Sequence, residues 1–213
     1  GLADAAGPAG GAFASRRVYD VYPDFLASGG VTVPAFHLAA ALGGLIGGVV
    51  PHQGLTNLTI VGFDNVNKIV NTFNRSQLDE ITSAGRWIVT HDLQTGQVYT
   101  RHQVSTDTTD VNTRELSVNK NVDSISKVFR DALKKYIGRA NISPNMLEVL
   151  KTDILSVIQF LKTASTTPLL GSQLIDATLV DIHQNAAVLD SVVVTINLVI
   201  PYPLDNLDIT LVI

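Results

Sequence analysis

At 213 residues, with 46% hydrophobic and 16% charged positions and a net charge of −4, the chain has the length of one ordinary domain or of a domain with arms. Its charge content lies below the roughly one quarter of a usual soluble domain, which fits a surface covered by partners as well as it fits a large core. No apolar run reaches the ~18 residues that span a bilayer; cysteine is absent, which excludes disulfides and thiol chemistry; and the acidic balance lacks the basic signal of a nucleic-acid-binding domain.

The first fifteen residues are rich in Gly and Ala and read as a flexible linker or processed end. The chain starts at Gly1 without the regions of a signal peptide and reads as a processed product or part of a longer polypeptide. Residues 16–26 (RRVYDVYPDFL) read as a short extended piece, and residues 1–33 together as a flexible N-terminal segment or arm. From Pro34, suited to a first helical turn, an Ala/Leu/Gly run predicts a helix whose Gly43, Gly44, Gly47 and Gly48 suit close packing. Residues 57–62 (NLTIVG) predict a short strand. Ser76 followed by Asp79 and Glu80, with Gly85 as the stop, predicts a capped two-turn helix. Residues 87–91 and 97–104, joined by DLQTG, predict a hairpin or two adjacent strands.

Two longer helices follow. Residues 121–138 place Val122, Ile125, Phe129, Leu133, Tyr136 and Ile137 near one face and end at Gly138. Ser143 and Pro144 then form an N-cap and first-turn pair, with Leu147, Leu150, Ile154, Val157, Ile158 and Leu161 at helical spacing to about residue 163. Residues 174–183 and 191–200 read as strands joined by the short connection QNAAVLD, which favours antiparallel neighbours. Helices followed by strands, without a βαβ repeat, predict an α+β fold: helices packed on a mainly antiparallel sheet, with extended terminal arms. The expected division is an arm at 1–33, a core at 34–200 and a C-terminal arm at 201–213.

In residues 192–213, Val192, Val194, Ile196, Leu198 and Ile200 share one face of a strand, and Leu207, Ile209, Leu211 and Ile213 share one face of a second. Pro201 and Pro203 separate the two runs; each lacks a backbone donor and fixes φ, so they are the expected arm hinge. A strand on such an arm needs a sheet edge, its own or that of another subunit, and the second case makes a polymer.

No catalytic pattern emerges. His37, His52, His91, His102 and His183 have no close spacing, the glycines follow no phosphate-binding signature, and no serine sits in a nucleophile-elbow setting. Asp176 and Asp181, five positions apart on one strand, are expected on opposite faces. The chain therefore reads as non-enzymatic, with no metal and no cofactor. Charge is segregated: Lys120, Lys127, Arg130, Lys134, Lys135 and Arg139 stand against Asp123 and Asp131 within one segment of an acidic chain. Lys127, Arg130 and Lys134 line a stripe that is either a solvated helix face or a docking face for an acidic partner.

The order of elements resembles the C-terminal, tube-proximal domain of contractile tail sheath proteins of myophages and related injection machines. The resemblance is carried by ELSVNKNVDSISKVFRDALKKYIG, SPNMLEVLKTDILSVIQFLKT, GSQLIDATLVDIHQN and VLDSVVVTINLVIPYPLDNLDITLVI, preceded by a small helix and a tryptophan strand, and it extends upstream to Pro34. It is one of layout rather than of an invariant signature. Family members are usually longer, with outward-facing domains, and many carry a charged, glycine-rich stretch before the tryptophan.

The resemblance implies a structural subunit of a virion tail, assembled in the host bacterial cytoplasm. Such a subunit polymerises as a helical homopolymer around a tail tube, exchanges arm strands with its neighbours and contracts to drive the tube through the host envelope. Leu207, Ile209, Leu211 and Ile213 would be the inter-subunit strand, and Lys127, Arg130, Lys134 and Lys135, the local basic excess, are the candidates to face the tube. Identical subunits, the tube protein and baseplate and terminator proteins are the implied partners, with no membrane insertion and no direct nucleic-acid binding. The other readings are a sheath-like baseplate or terminator component, a non-polymerising α+β binding domain whose last strand joins its own sheet, and an enzyme with a dispersed site.

Overall fold

A central strand buried along nearly its whole length organises the first half of the chain. Strand β5 (Arg86–His91) buries Trp87, Ile88, Val89 and Thr90 in succession, as a strand covered on both faces must. The computed structural model describes residues 13–66, 73–92, 94–163, 169–205 and 207. It divides into two units, Gly1–Asn119 with Pro203–Ile213, and Lys120–Tyr202.

In the first unit, β1 (Asp20–Tyr22) pairs parallel with β5, and β6 (Val98–Thr100) pairs antiparallel on its other side. A second three-stranded sheet, β3-β2-β4, joins β2 (Phe25–Ser28), β3 (Val31–Pro34) and β4 (Asn65–Val66), all antiparallel. The β2–β3 turn places Gly29 and Gly30 at φ of 56° and 76°, two consecutive left-handed residues that a two-residue hairpin demands and glycine accepts without strain. Helix α1 (Ala35–Gly48) buries Leu38 and Leu42, and α2 (Arg75–Ser83) buries Leu78 and Ile81, in one core with Tyr22, Leu26, Leu55, Ile60 and Trp87. Tyr19 meets Trp87 edge-on at 6.5 Å.

Several expectations are corrected here. Residues 20–33, read from sequence as part of a flexible N-terminal segment or arm with a short extended piece at 16–26, contribute to β1–β3 and bury Tyr22 and Leu26. Even Ser15 is tied down, its amide donating to Thr106 Oγ1 at 3.1 Å and its carbonyl accepting from the same hydroxyl at 3.0 Å. Apolar side chains in a composition-poor segment found a sheet to join, which composition does not report. Residues 1–12 of that expected arm lie outside the described residues. The strand expected at 57–62 is a single bridge, Thr59 with Tyr99. Helix α2 is capped by Asn74, not Ser76: Asn74 Oδ1 accepts from the Gln77 amide while Gln77 Oε1 accepts from the Asn74 amide, each at 3.0 Å. A short helix, α3 (Val111–Arg114), leads into α4 (Leu116–Leu133), which contains the unit boundary.

The second unit continues α4 through a 3-10 turn (Lys134–Tyr136) to α5 (Pro144–Thr163) and an antiparallel ribbon of β7 (Asp176–Gln184) and β8 (Val192–Val199). Ile154, Ile158 and Leu161 form the buried stripe of α5, which packs along β7; Ile125, Leu174 and Ile200, also of this unit, are buried too. Asp153 joins α5 to the 3-10 turn, accepting from Tyr136 Oη at 2.7 Å and pairing with Lys135 Nζ at 2.6 Å. Ile137, expected on the buried face, lies past the helical turn and is 78% exposed. The α+β class and the antiparallel pairing of the last two strands are as expected. The single core expected over 34–200 is instead two units, and the first also takes in residues 203–205.

Candidate assembly surfaces

The ribbon β7–β8 is the first surface. Among the described residues these strands pair only with each other, from Asp176 opposite Val199 to Gln184 opposite Val192, so each presents one free row of backbone donors and acceptors. Leu179 opposes Ile196 and Ala177 opposes Leu198 on the half-buried face. The other face, with Thr178, Asp181, His183, Thr195 and Asn197, is polar and exposed. The register slips between Leu179 and Asp181, leaving Val180 as an extra residue. That bulge resets the alternation. Asp176 and Asp181, expected on opposite faces, lie on the same exposed one, since their partners Val199 and Thr195 are four apart on β8.

The second surface is the basic stripe. Lys127, Arg130, Lys134 and Lys135 are all exposed. Lys135 is already committed, 2.6 Å from Asp153 and with its ammonium 4.9 Å from the centre of the Tyr136 ring. Lys127, Arg130 and Lys134 have no ion pair among the described residues, so they are the stripe's uncommitted cations.

The third is the exposed face of α1, where Phe36, 66% exposed, is followed by Ala39, Ala40, Gly43, Gly44, Gly47 and Gly48 without a charge. Among the described residues none packs closely on these glycines: a Cβ at any of the four would meet nothing within 4 Å.

The chain leaves β8 through Pro201 and Pro203, the expected hinge, and is then held. Pro203 packs so closely on Gly54 that a Cβ at Gly54 would stand 2.9 Å from Pro203 Cβ. Thr56 Oγ1 donates to Asp205 Oδ1. Asp205 Oδ2 faces His102 Nε2 at 3.6 Å, and that nitrogen lies 2.9 Å from Oε1 of the buried Glu115. Arg114 Nε donates to the same Oε1 at 3.0 Å. An antiparallel bridge of Val104 with Glu115 brings the histidine and glutamate segments together. Burial pushes the Asp205 carboxyl up from its ordinary value, against the lowering influence of the Thr56 hydroxyl and His102. Any swing of a terminal arm therefore begins beyond Asp205. Leu207 is 71% exposed; Ile209, Leu211 and Ile213, the rest of the expected inter-subunit strand, lie outside the described residues. No sequence spacing pointed to the cluster of residues 102, 115 and 205, because three distant segments build it.

Among the described residues no helix is long and apolar enough to cross a membrane. No protein-family model matches the chain, and no curated protein sequence matches it. Solved structures do. The anti-feeding prophage baseplate contains a chain that aligns with a TM-score of 0.69 at 15% identity, over 93% of this chain and 55% of that one. The helical sheath of the same prophage in its contracted state aligns with a TM-score of 0.67 at 15% identity, over 93% and 56%. A sheath tail protein from Desulfitobacterium hafniense aligns with a TM-score of 0.60 at 13% identity, over 87% and 46%. The fold is thus that of contractile tail sheath proteins, and the chain spans about half the length of the solved chains it matches.

Proposed function

We propose that the chain is a structural subunit of a contractile tail sheath, polymerising around a tail tube in a virion or prophage-derived particle put together in the bacterial cytoplasm. The observation that carries this reading is the sheath fold, shared over 93% of the chain with a sheath in its contracted state. The two edges of β7–β8, unpaired among the described residues, support strand exchange, since a neighbour's extended segment can add to either one through backbone hydrogen bonds. Residues 207–213, with Leu207, Ile209, Leu211 and Ile213 on one face, are the proposed donor. The anchoring of Pro203 and Asp205 gives that donor a fixed root. A lattice joined in this way keeps its connections while the subunits rearrange, and contraction draws on energy stored at assembly rather than on a reaction. Lys127, Arg130 and Lys134 are the proposed tube-facing cations, joined by Lys135, whose ammonium also pairs with Asp153.

The test is negative-stain microscopy of the purified chain, alone and with its tube protein. Long tubes of helical order are expected, and a protein that stays monomeric at every concentration overturns the proposal. A second reading, a sheath-like baseplate or terminator component, draws support from the alignment to the prophage baseplate, of equal quality. Closed rings that never lengthen into tubes would favour it.

A further inference from the structure

His102, Glu115 and Asp205 gather where the chain returns to the first unit, and one ligand atom from each lies within 4.8 Å of the other two. Glu115 is only 2% exposed, yet its Oε2 is buried without a hydrogen-bond partner among the described residues, because Arg114 and His102 both engage Oε1. A buried carboxylate oxygen left without a donor is costly, and two carboxylates held close together repel each other. From this geometry we infer a binding site for a divalent transition-metal cation, Zn2+ foremost, formed by His102 Nε2, Asp205 Oδ2 and the Glu115 carboxylate.

The donor set decides the class of ion. An imidazole nitrogen with two carboxylates suits Zn2+ and its first-row neighbours, whereas Mg2+ and Ca2+ prefer oxygen alone. Around a tetrahedral ion with bonds of about 2.0–2.1 Å, neighbouring ligand atoms stand ~3.4 Å apart. His102 Nε2 lies 2.9 Å from Glu115 Oε1 and 3.6 Å from Asp205 Oδ2, and the three ligand atoms lie within 4.8 Å of one another, so side-chain rotations would draw them to that spacing. Binding requires the imidazole to carry its proton on Nδ1, freeing Nε2 for the ion. Water completes the coordination.

An outer layer is already in place. Thr56 Oγ1 holds Asp205 through Oδ1 and leaves Oδ2 free, and Arg114 holds Glu115 through Oε1. The Arg114 charge opposes a cation, but two carboxylates outnumber it. The consequence is mechanical. The ion would staple Asp205, the root of residues 207–213, to the segments of His102 and Glu115. This inference does not depend on the sheath reading.

The test uses the full chain, stripped with a chelator and titrated calorimetrically with ZnCl2, then with MgCl2. One saturable Zn2+ equivalent per chain is expected, with no equivalent for Mg2+. His102→Gln should weaken it at least ~10-fold, the loss that removing even an outer partner of a metal ligand causes. Asp205→Asn, at a partly exposed position, should do the same and serves if the first variant does not fold. The proposal is overturned if no one-to-one Zn2+ binding appears, or if the folded variants bind it as tightly as the parent chain.

Discussion

Gly54 lies on the loop that receives the returning chain, and its missing side chain is what permits the approach of Pro203. With a Cβ only 2.9 Å from Pro203 Cβ, neither a flexible tip nor a rotamer change can relieve the contact. Gly54→Ala must shift the loop or residues 203–205, and overpacking of this kind costs about 1–3 kcal/mol. Denaturant unfolding should show the loss; an unchanged midpoint would mean the two segments do not touch. Asp153 offers a second single-residue test. The Lys135 ammonium and then the Tyr136 hydroxyl hydrogen-bond to its carboxylate and hold it below its ordinary value of 3.8. A lowered folded-state value favours the ionised form, so the contribution to stability is present above 3.8 and is lost as pH falls through the lowered value. An NMR titration should place the Asp153 midpoint below 3.8, and Tyr136→Phe should raise it. A midpoint at or above the ordinary value would dissolve the proposed joint between α5 and the 3-10 turn.

Helix α1 keeps four glycines on a face that no described residue approaches. Each weakens a helix by about 0.8–1.0 kcal/mol relative to alanine, so Gly47→Ala should stabilise the isolated subunit by roughly that amount in denaturant titration. If assembly uses the smooth face, the same variant should assemble less well. A variant that gains stability and assembles normally would leave these glycines without a role in contact. The basic stripe on α4 is tested by charge. Lys127→Glu with Lys134→Glu should reduce co-assembly with a tube protein, most at low salt. A single exposed pair is worth only about 0–1 kcal/mol and is screened, so helical repetition must sum the effect. Tube binding that is unchanged across the salt series would make the stripe a solvated face. How legible these elements were in sequence follows from the range of the forces that fix them. The α5 stripe of Ile154, Ile158 and Leu161 and the antiparallel β7–β8 pair could be read because periodicity and a short connection determine them locally. The bulge at Val180 could not, since register is settled by the partner strand. Strand β1 showed in sequence only as part of a short extended piece for a related reason: it pairs with β5, more than sixty residues away, and no local pattern announces a partner at that distance. The cluster of His102, Glu115 and Asp205 was hidden in the same way, by three segments that meet only after folding.

At the scale of the whole molecule the decisive question is whether residues beyond Asp205 serve the subunit or its neighbours. Among the described residues the buried side chains of both units lie upstream of them, and the last described contacts of the returning chain are those of Pro203 and Asp205. Leu207 is already exposed. Meanwhile a two-stranded ribbon is marginal by itself and here leans on α5 along one face, while among the described residues no strand pairs with either of its edges. An alternating apolar segment and an unfilled sheet edge are complementary, and in a homopolymer every subunit supplies both. Removing residues 206–213 should therefore leave unfolding within about 0.5 kcal/mol of the full chain, as for surface changes away from packed features. It should at the same time abolish tubes by microscopy. Adding the removed segment back as a free peptide should protect the backbone amides of β7 or β8 from hydrogen exchange without restoring tubes, because a free strand fills an edge but links nothing. If the truncated chain unfolds, the segment belongs to its own subunit; if it still forms tubes, strand exchange through this arm is not what joins the lattice.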